Sequence, residues 1–287
     1  MSLVRNSFKF RGLMAPVFTA FKNDPVQSVN CELIDPYAKW LKERGIQAVL
    51  VNGTTGEGMS MSVSERKTTA EEWQKACRKH GMTLMLQIGG VPFVDVAELA
   101  KHADQLGVDA VLCLPELYFK PKTEPDLVKY LAKVATHCPK TPLLYYHIPV
   151  NTGVNLSMPK FLGLAEKEID TFVGIKYTSG DLALGSACLA ENRFIFLGAD
   201  SILCGALAQG FDSSIMTILN VCPELAIEIY NAVKKGDVFK AREKQKELSA
   251  VVDRILAEGG GEWVPSMKKE FNRVFHTNIG NVRFPLA

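Results

Sequence analysis

Two regimes of hydrophobic patterning alternate along the chain. Short apolar runs occupy residues 13–21, 48–52, 83–89, 109–114, 142–146, 171–176, 194–198 and 212–216. Each has the length and continuity of a strand buried on both faces, and between them apolar residues recur with a helical period. Leu33, Tyr37, Trp40 and Leu41 share one helical face, and Val96, Leu99, Ala103 and Leu106 share another. Ser62-Val-Ser-Glu65 reads as a capping box, and Gly45, Gly81, Gly107 and Gly236 fall just past helix ends. Eight strand–helix units joined by right-handed crossovers predict an α/β protein, a (β/α)8 TIM barrel. A doubly wound open sheet is the competing topology, but the first βα turn lacks Gly-x-Gly-x-x-Gly.

Beyond the eighth unit, residues 238–258 and 263–276 keep a helical pattern and are joined by Gly259-Gly-Gly261. They predict extra C-terminal helices. The chain reads as a single domain, with the barrel over residues 1–236 and a helical extension packed on it over residues 237–287.

Composition narrows the functional classes. The 287 residues are 47% hydrophobic and 22% charged, with a mean hydropathy of +0.05 and a net charge of +2. No basic stripe interleaved with aromatics is present, which argues against nucleic acid and an anionic membrane surface. The opening residues 1–21 hold basic residues followed by an apolar run of about ten, but Pro16 interrupts it and no small-residue cleavage site follows. An opening strand fits better than a signal peptide. No segment approaches the roughly 20 apolar residues of a membrane span. Seven cysteines stand singly without a Cys-x-x-Cys pair, the pattern of free thiols in a reducing, cytoplasmic compartment. The five histidines are dispersed, so no metal site is expected.

In a barrel of this kind chemistry collects at the carboxyl ends of the strands, which selects four stretches. In Val51-Asn-Gly-Thr-Thr-Gly-Glu-Gly58, two glycines flank the hydroxyls of Thr54 and Thr55, so backbone N–H groups can converge on a carboxylate. A polar turn capping the next helix is the competing reading. In Leu143-Leu-Tyr-Tyr-His-Ile-Pro149, alternation sends Tyr145 and Tyr146 to opposite faces, so one phenol can enter the barrel mouth and shuttle protons. His147 reads as structural. Thr171-Phe-Val-Gly-Ile-Lys-Tyr-Thr-Ser-Gly-Asp181 places Lys176 at the end of a central strand. A lysine taken out of water favours the neutral amine that attacks carbonyls, whereas a snorkelling lysine would do nothing. In Phe196-Leu-Gly-Ala-Asp-Ser201, Gly198, Asp200 and Ser201 could meet substrate hydroxyls or cap a helix. A lysine, a tyrosine and an anion-binding loop together suit Schiff-base chemistry on a 2-keto acid.

Gly53-Thr-Thr-Gly-Glu57, Tyr146-His-Ile-Pro149 with Thr152-Gly153, and Gly174-Ile-Lys176 resemble, in order and spacing, the signatures of the N-acetylneuraminate lyase and dihydrodipicolinate synthase superfamily. The resemblance runs from Gly12-Leu-Met-Ala-Pro-Val-Phe-Thr19 to Val282-Arg-Phe-Pro-Leu286, and it is closer to the animal lyases. It implies a class I aldolase that splits N-acetylneuraminate reversibly into pyruvate and N-acetylmannosamine, as a homotetramer, with no metal or organic cofactor. On that likeness Lys176 forms the Schiff base and Tyr146 moves the proton of the hydroxyl at the bond being cleaved. Thr54 and Thr55 hold the keto-acid carboxylate, one of them bonding Tyr146, and Tyr118 completes a hydroxyl relay. Thr178, Gly198, Asp200, Ser201 and Thr217 line the sugar end.

Departures from the family pattern bear on the substrate. Asn151 stands where the synthases carry an arginine for a second carboxylate, which argues against synthase activity, and where the lyases usually carry an apolar residue. Ser201 replaces a glutamate of many lyases, Thr217 stands about where they have a serine, and one extra residue sits near Pro115-Glu-Leu-Tyr118. These changes leave the imine chemistry intact and keep open a sister aldolase acting on another 2-keto-3-deoxy acid. A non-catalytic keto-acid-binding barrel is the reading of another class; the joint presence of Lys176, Tyr146 and the Gly-Thr-Thr-Gly loop stands against it. A pyridoxal-phosphate enzyme using Lys176 would need a late phosphate loop that the chain does not show.

Overall fold

The computed structural model describes residues 4–5 and 7–286. Residues 1–3 and 6 of the opening segment, and residue 287, lie outside the described residues. Eight parallel strands follow one another around a closed barrel: β1 (Leu13–Pro16), β2 (Ala48–Val51), β3 (Thr83–Gln87), β4 (Ala110–Cys113), β5 (Leu143–His147), β6 (Phe172–Tyr177), β7 (Phe194–Leu197) and β8 (Ser213–Ile215). Strand β8 pairs back onto β1, Leu13 opposite Ser214, so no edge is left to pair with another chain. The helices are α1 (Ile34–Glu43), α2 (Val63–His80), α3 (Phe93–Leu106), α4 (Glu124–Ala135), α5 (Pro149–Thr152), α6 (Met158–Glu168), α7 (Leu182–Ser186), α8 (Leu203–Ala208), α9 (Pro223–Lys234), α10 (Val238–Gly259) and α11 (Trp263–Phe275).

Alternation along each strand divides the core into two layers. Met14, Leu50, Met85, Leu112, Leu144, Tyr146, Phe196 and Ile215 fill the lumen. Their neighbours Ala15, Val49, Val111, Tyr145 and Ile175 point outward and pack under the helices. The helix signals behave as their chemistry requires. Ser62 Oγ accepts from the Glu65 amide at 3.2 Å, and Ser62 N donates to the Glu65 carboxylate at 2.9 Å. Gly45, Gly81, Gly107 and Gly236 all take positive φ just past helices α1, α2, α3 and α9.

The first strand ends earlier than its apolar run. After Pro16 the chain leaves the ladder, and Phe21 forms only an isolated antiparallel bridge with Val29. Apart from Thr19, residues 17–21 are apolar because they are buried: Phe18, for one, lies against Phe271 of α11, with ring centres 5.4 Å apart. Apolarity there reports burial, not strand pairing. Helix α10 packs against α9 and α8, and α11 packs against α10. No helix among the described residues is long and apolar enough to cross a membrane.

Candidate active site

Strands β5 and β6 run parallel with Tyr146 directly opposite Lys176, so both side chains enter the lumen near its carboxyl end. They border a cavity of about 610 Å³ that also takes in Thr54, Thr55, Thr178, Gly198, Asp200, Ser201 and Thr217. Lys176 is only 5% exposed, and its Nζ donates to Tyr146 Oη at 3.0 Å. That phenol oxygen is 3.1 Å from Thr54 Oγ1. Amine, phenol and hydroxyl therefore form a continuous chain. The amine can act as a nucleophile while the phenol passes a proton along the chain or to a bound group.

Two glycines make room for the lysine. A Cβ on Gly174 would stand 1.9 Å from Phe194 O, so only glycine lets β6 approach β7 two residues before Lys176. A Cβ on Gly198 would stand 2.1 Å from Thr178 Oγ1 and 3.2 Å from Lys176 Cε, closing the space beside the amine. The Thr178 hydroxyl has no hydrogen-bond partner among the described residues although it borders the cavity. A buried hydroxyl without a partner is poised to bond a ligand.

The loop after β2 is held by groups remote in sequence. Asn52 and Glu57 take left-handed backbone conformations, with φ of 60° and 54°. Glu57 Oε1 accepts from Lys268 Nζ at 2.7 Å, and its second oxygen accepts from the Arg283 amide at 2.7 Å. Burial lowers the Lys268 pKa, and the charge of Glu57 opposes that shift. Removing either partner would strand a buried charge, at a cost of roughly 3–5 kcal/mol. Thr55 Oγ1 lies 2.8 Å from Thr217 Oγ1, which accepts from Trp263 Nε1 at 3.2 Å. No motif in the sequence marks Lys268 or Trp263, and Glu57 enters it only as the last residue of Gly53-Thr-Thr-Gly-Glu57. The available signal was a charge in an apolar stripe, since Lys268 lies between Val264, Met267 and Phe271 on the buried face of α11.

The far side of the cavity is built by the turn after β7 and by the last two helices. Asp200 is buried, and its Oδ1 accepts from the Ile218 amide at 2.9 Å rather than capping its own short helix. Gln245 of α10 braces that turn, donating to Asp200 O at 3.1 Å. Val252, Asp253 and Leu256 of α10, with Glu262 and Trp263, complete the wall. Ser201 and Asn151 are exposed at its rim.

Burial pushes the Asp200 carboxyl up to about 6, against the Ile218 hydrogen bond and the Lys176 charge, which pull it down. A raised acid favours the fold while it is protonated, so this contribution is lost as pH climbs through about 6. The ionised carboxylate then costs the fold roughly 3 kcal/mol. Asp200→Asn is accordingly expected to gain on the native protein by about 2 kcal/mol between pH 4.5 and pH 8. Chemical denaturation of both proteins at the two pH values measures this; a stability difference that does not change with pH would show that the carboxyl is not desolvated.

Two residues lie apart from the cavity. Tyr118 is 79% exposed beside Phe119 and does not line it. His147 faces outward and is buried, stacked on Tyr177 with ring centres 5.5 Å apart, and burial lowers its pKa to about 4. A neutral packing histidine fits that setting. Among the described residues no group of three or more His, Cys, Asp or Glu side chains could hold a metal ion.

Comparison with known proteins bears on these features. A profile of the dihydrodipicolinate synthetase family matches residues 9–287. The chain belongs to that family. Within it, N-acetylneuraminate lyase A of Xenopus laevis is 33% identical over 281 residues, covering 97% of this chain and 91% of the relative. The solved structure of the N-acetylneuraminate lyase (sialic acid aldolase) of Aliivibrio salmonicida superposes with a TM-score of 0.90 at 37% identity, covering 97% of this chain and 91% of that one. The Proteus mirabilis N-acetylneuraminate lyase also gives a TM-score of 0.90, at 33% identity, with 97% and 93% coverage. The family fold is thus matched from the first strand to the last helix, including α10 and α11.

Proposed function

We propose that this protein is a class I aldolase that cleaves N-acetylneuraminate, reversibly, to pyruvate and N-acetylmannosamine. The observation that carries the reading is the unbroken chain from Lys176 Nζ through Tyr146 Oη to Thr54 Oγ1 at the barrel mouth, at 3.0 and 3.1 Å. Similarity to lyases of that name over 97% of the chain supports the substrate.

In this reading the Lys176 amine adds to the keto carbon and expels water, forming an iminium. Tyr146 takes the proton from the hydroxyl beside the bond to be broken. The carbon–carbon bond cleaves, its electron pair passing into the iminium to give an enamine, while the hydroxyl carbon leaves as the aldehyde. Protonation of the enamine and hydrolysis then release pyruvate and restore the lysine. The Thr54–Thr55 loop holds the carboxylate, and Thr178, Gly198, Asp200, Ser201 and Thr217 meet the sugar portion. No metal or organic cofactor enters these steps, and neither does Tyr118, which does not border the cavity.

The second reading, a sister aldolase for another 2-keto-3-deoxy acid, is favoured by Ser201 and Asn151 at the rim. A panel of such acids beside N-acetylneuraminate separates the two by kcat/KM. The proposal also includes a cytoplasmic location, which seven unpaired cysteines suit, and a homotetramer, which the family likeness suggests. The barrel of residues 1–236 and the extension of residues 237–287 form one domain in this reading, supported by a shared core: Leu248, Val252, Met267 and Phe271 pack with barrel residues.

Incubation with pyruvate and borohydride, followed by peptide mass spectrometry, tests the chemistry. A reduced pyruvyl adduct is expected on the peptide bearing Lys176. A folded protein that forms none would rule out the aldolase.

A further inference from the structure

Helix α11 grips the loop after β2 at two points. Lys268 reaches Glu57 at 2.7 Å, with side chains only 2% and 0% exposed, and also donates to Asn281 O at 3.0 Å. Trp263, one and a half turns earlier on the same helix, reaches Thr217, and Thr217 reaches Thr55. The two holds fall at and just beyond the pair Thr54–Thr55, whose first member also bonds Tyr146.

Stability is a poor reason for such a pair. Two charges buried together recover little more than their lost hydration, and an apolar pair of equal volume would serve as well. Their particular property is direction: charge-assisted hydrogen bonds hold donor and acceptor within a narrow geometry. Here that constraint acts on Glu57, which sits in a left-handed conformation two residues after Thr55. A shift of Glu57 would be transmitted straight to the Thr54–Thr55 backbone, because Glu57 N donates to Thr54 O at 3.0 Å.

We propose that α11 is a working part of the site, with Lys268, through Glu57, and Trp263, through Thr217, acting as positioning residues that set the Thr54–Thr55 backbone against the carboxylate of the keto acid. The inference rests on the aldolase reading. It makes the C-terminal helix responsible for a selectivity, carboxylate over neutral carbonyl compound, expressed at the opposite side of the loop it touches.

The test compares borohydride trapping of pyruvate with that of pyruvamide, which carries a neutral amide in place of the carboxylate. The variants are Glu57→Gln with Lys268→Met, which removes both charges and keeps the volume, and Trp263→Phe, which removes the indole N–H that reaches Thr217 together with part of the ring at the cavity wall. Each is expected to raise the pyruvate concentration for half-maximal trapping on the order of tenfold to a hundredfold. In each variant trapping of pyruvamide should fall far less than trapping of pyruvate, so the preference collapses. A variant that melts as a folded protein and keeps the native preference overturns the inference, since a merely structural pair would change the melting temperature alone. If the double variant does not fold, Trp263→Phe decides by the same criterion. If the native protein forms no adduct with pyruvate, the aldolase reading fails, and the carboxylate role of α11 falls with it. An adduct on the native protein combined with unchanged preference in the variants overturns the inference alone.

Discussion

Lys176→Ala is expected to take cleavage of N-acetylneuraminate to background, on the order of 10⁴-fold or more below the native rate, and to abolish borohydride trapping. No other lysine lines the cavity among the described residues, so no second amine stands ready to form the imine. The fold should survive. The lost side chain borders a space already open to water, and Tyr146 keeps its contact with Thr54. The melting temperature is therefore expected to stay within a few degrees of native near pH 5. A secondary effect follows from charge. Lys176 is one of the groups that hold the Asp200 carboxyl down, so its removal should deepen the loss of stability above pH 6. Initial rates, adduct mass and melting curves at two pH values check all three statements. Turnover within a hundredfold of native would mean that catalysis runs without the imine.

Tyr146→Phe separates imine formation from bond cleavage. Turnover is expected to fall by about 10²- to 10⁴-fold, the range for loss of a positioned proton-transfer group, while the pyruvate adduct still forms. The ring itself remains. It fills the lumen beside Leu144, and Lys176 Nζ lies 4.2 Å from its centre. What disappears is the oxygen between the amine and Thr54 Oγ1, and both groups then face a cavity where water can bond them. Single-turnover measurement should show adduct accumulating ahead of a slowed cleavage step. Equal losses in adduct formation and cleavage would assign Tyr146 to lysine activation, and a loss of less than tenfold would remove it from the proton path.

Much of this architecture is legible in the sequence. The strand pattern held because a parallel barrel buries both faces of every strand, which leaves continuous apolar runs. Its ends were less legible. The run at residues 13–21 passes Pro16 without a break because buried residues beyond the ladder are as apolar as residues in it. Lys176 and Tyr146 stood out as polar groups at the ends of buried strands, but their adjacency depends on the β5–β6 register, which no local pattern encodes. Lys268 was hidden for a different reason. Periodicity says which face of α11 is buried, and it does not say that a carboxylate 211 positions earlier in the chain lies underneath. The same limit applies to Asp200, which looked like a helix cap and instead bonds the Ile218 amide, and to the cavity wall from α10.

That wall has an evolutionary consequence. The phenol and the amine stand on β5 and β6, inside the barrel, whereas Val252, Asp253, Leu256 and Trp263 belong to helices that contribute no strand. Substitutions at solvent-facing positions such as Asp253 can reshape what fits beside the amine without disturbing the ladder that holds it. A lineage, or a directed-evolution library confined to Asp253 and Leu256, could thus trade one aldehyde partner for another while inheriting the imine chemistry unchanged.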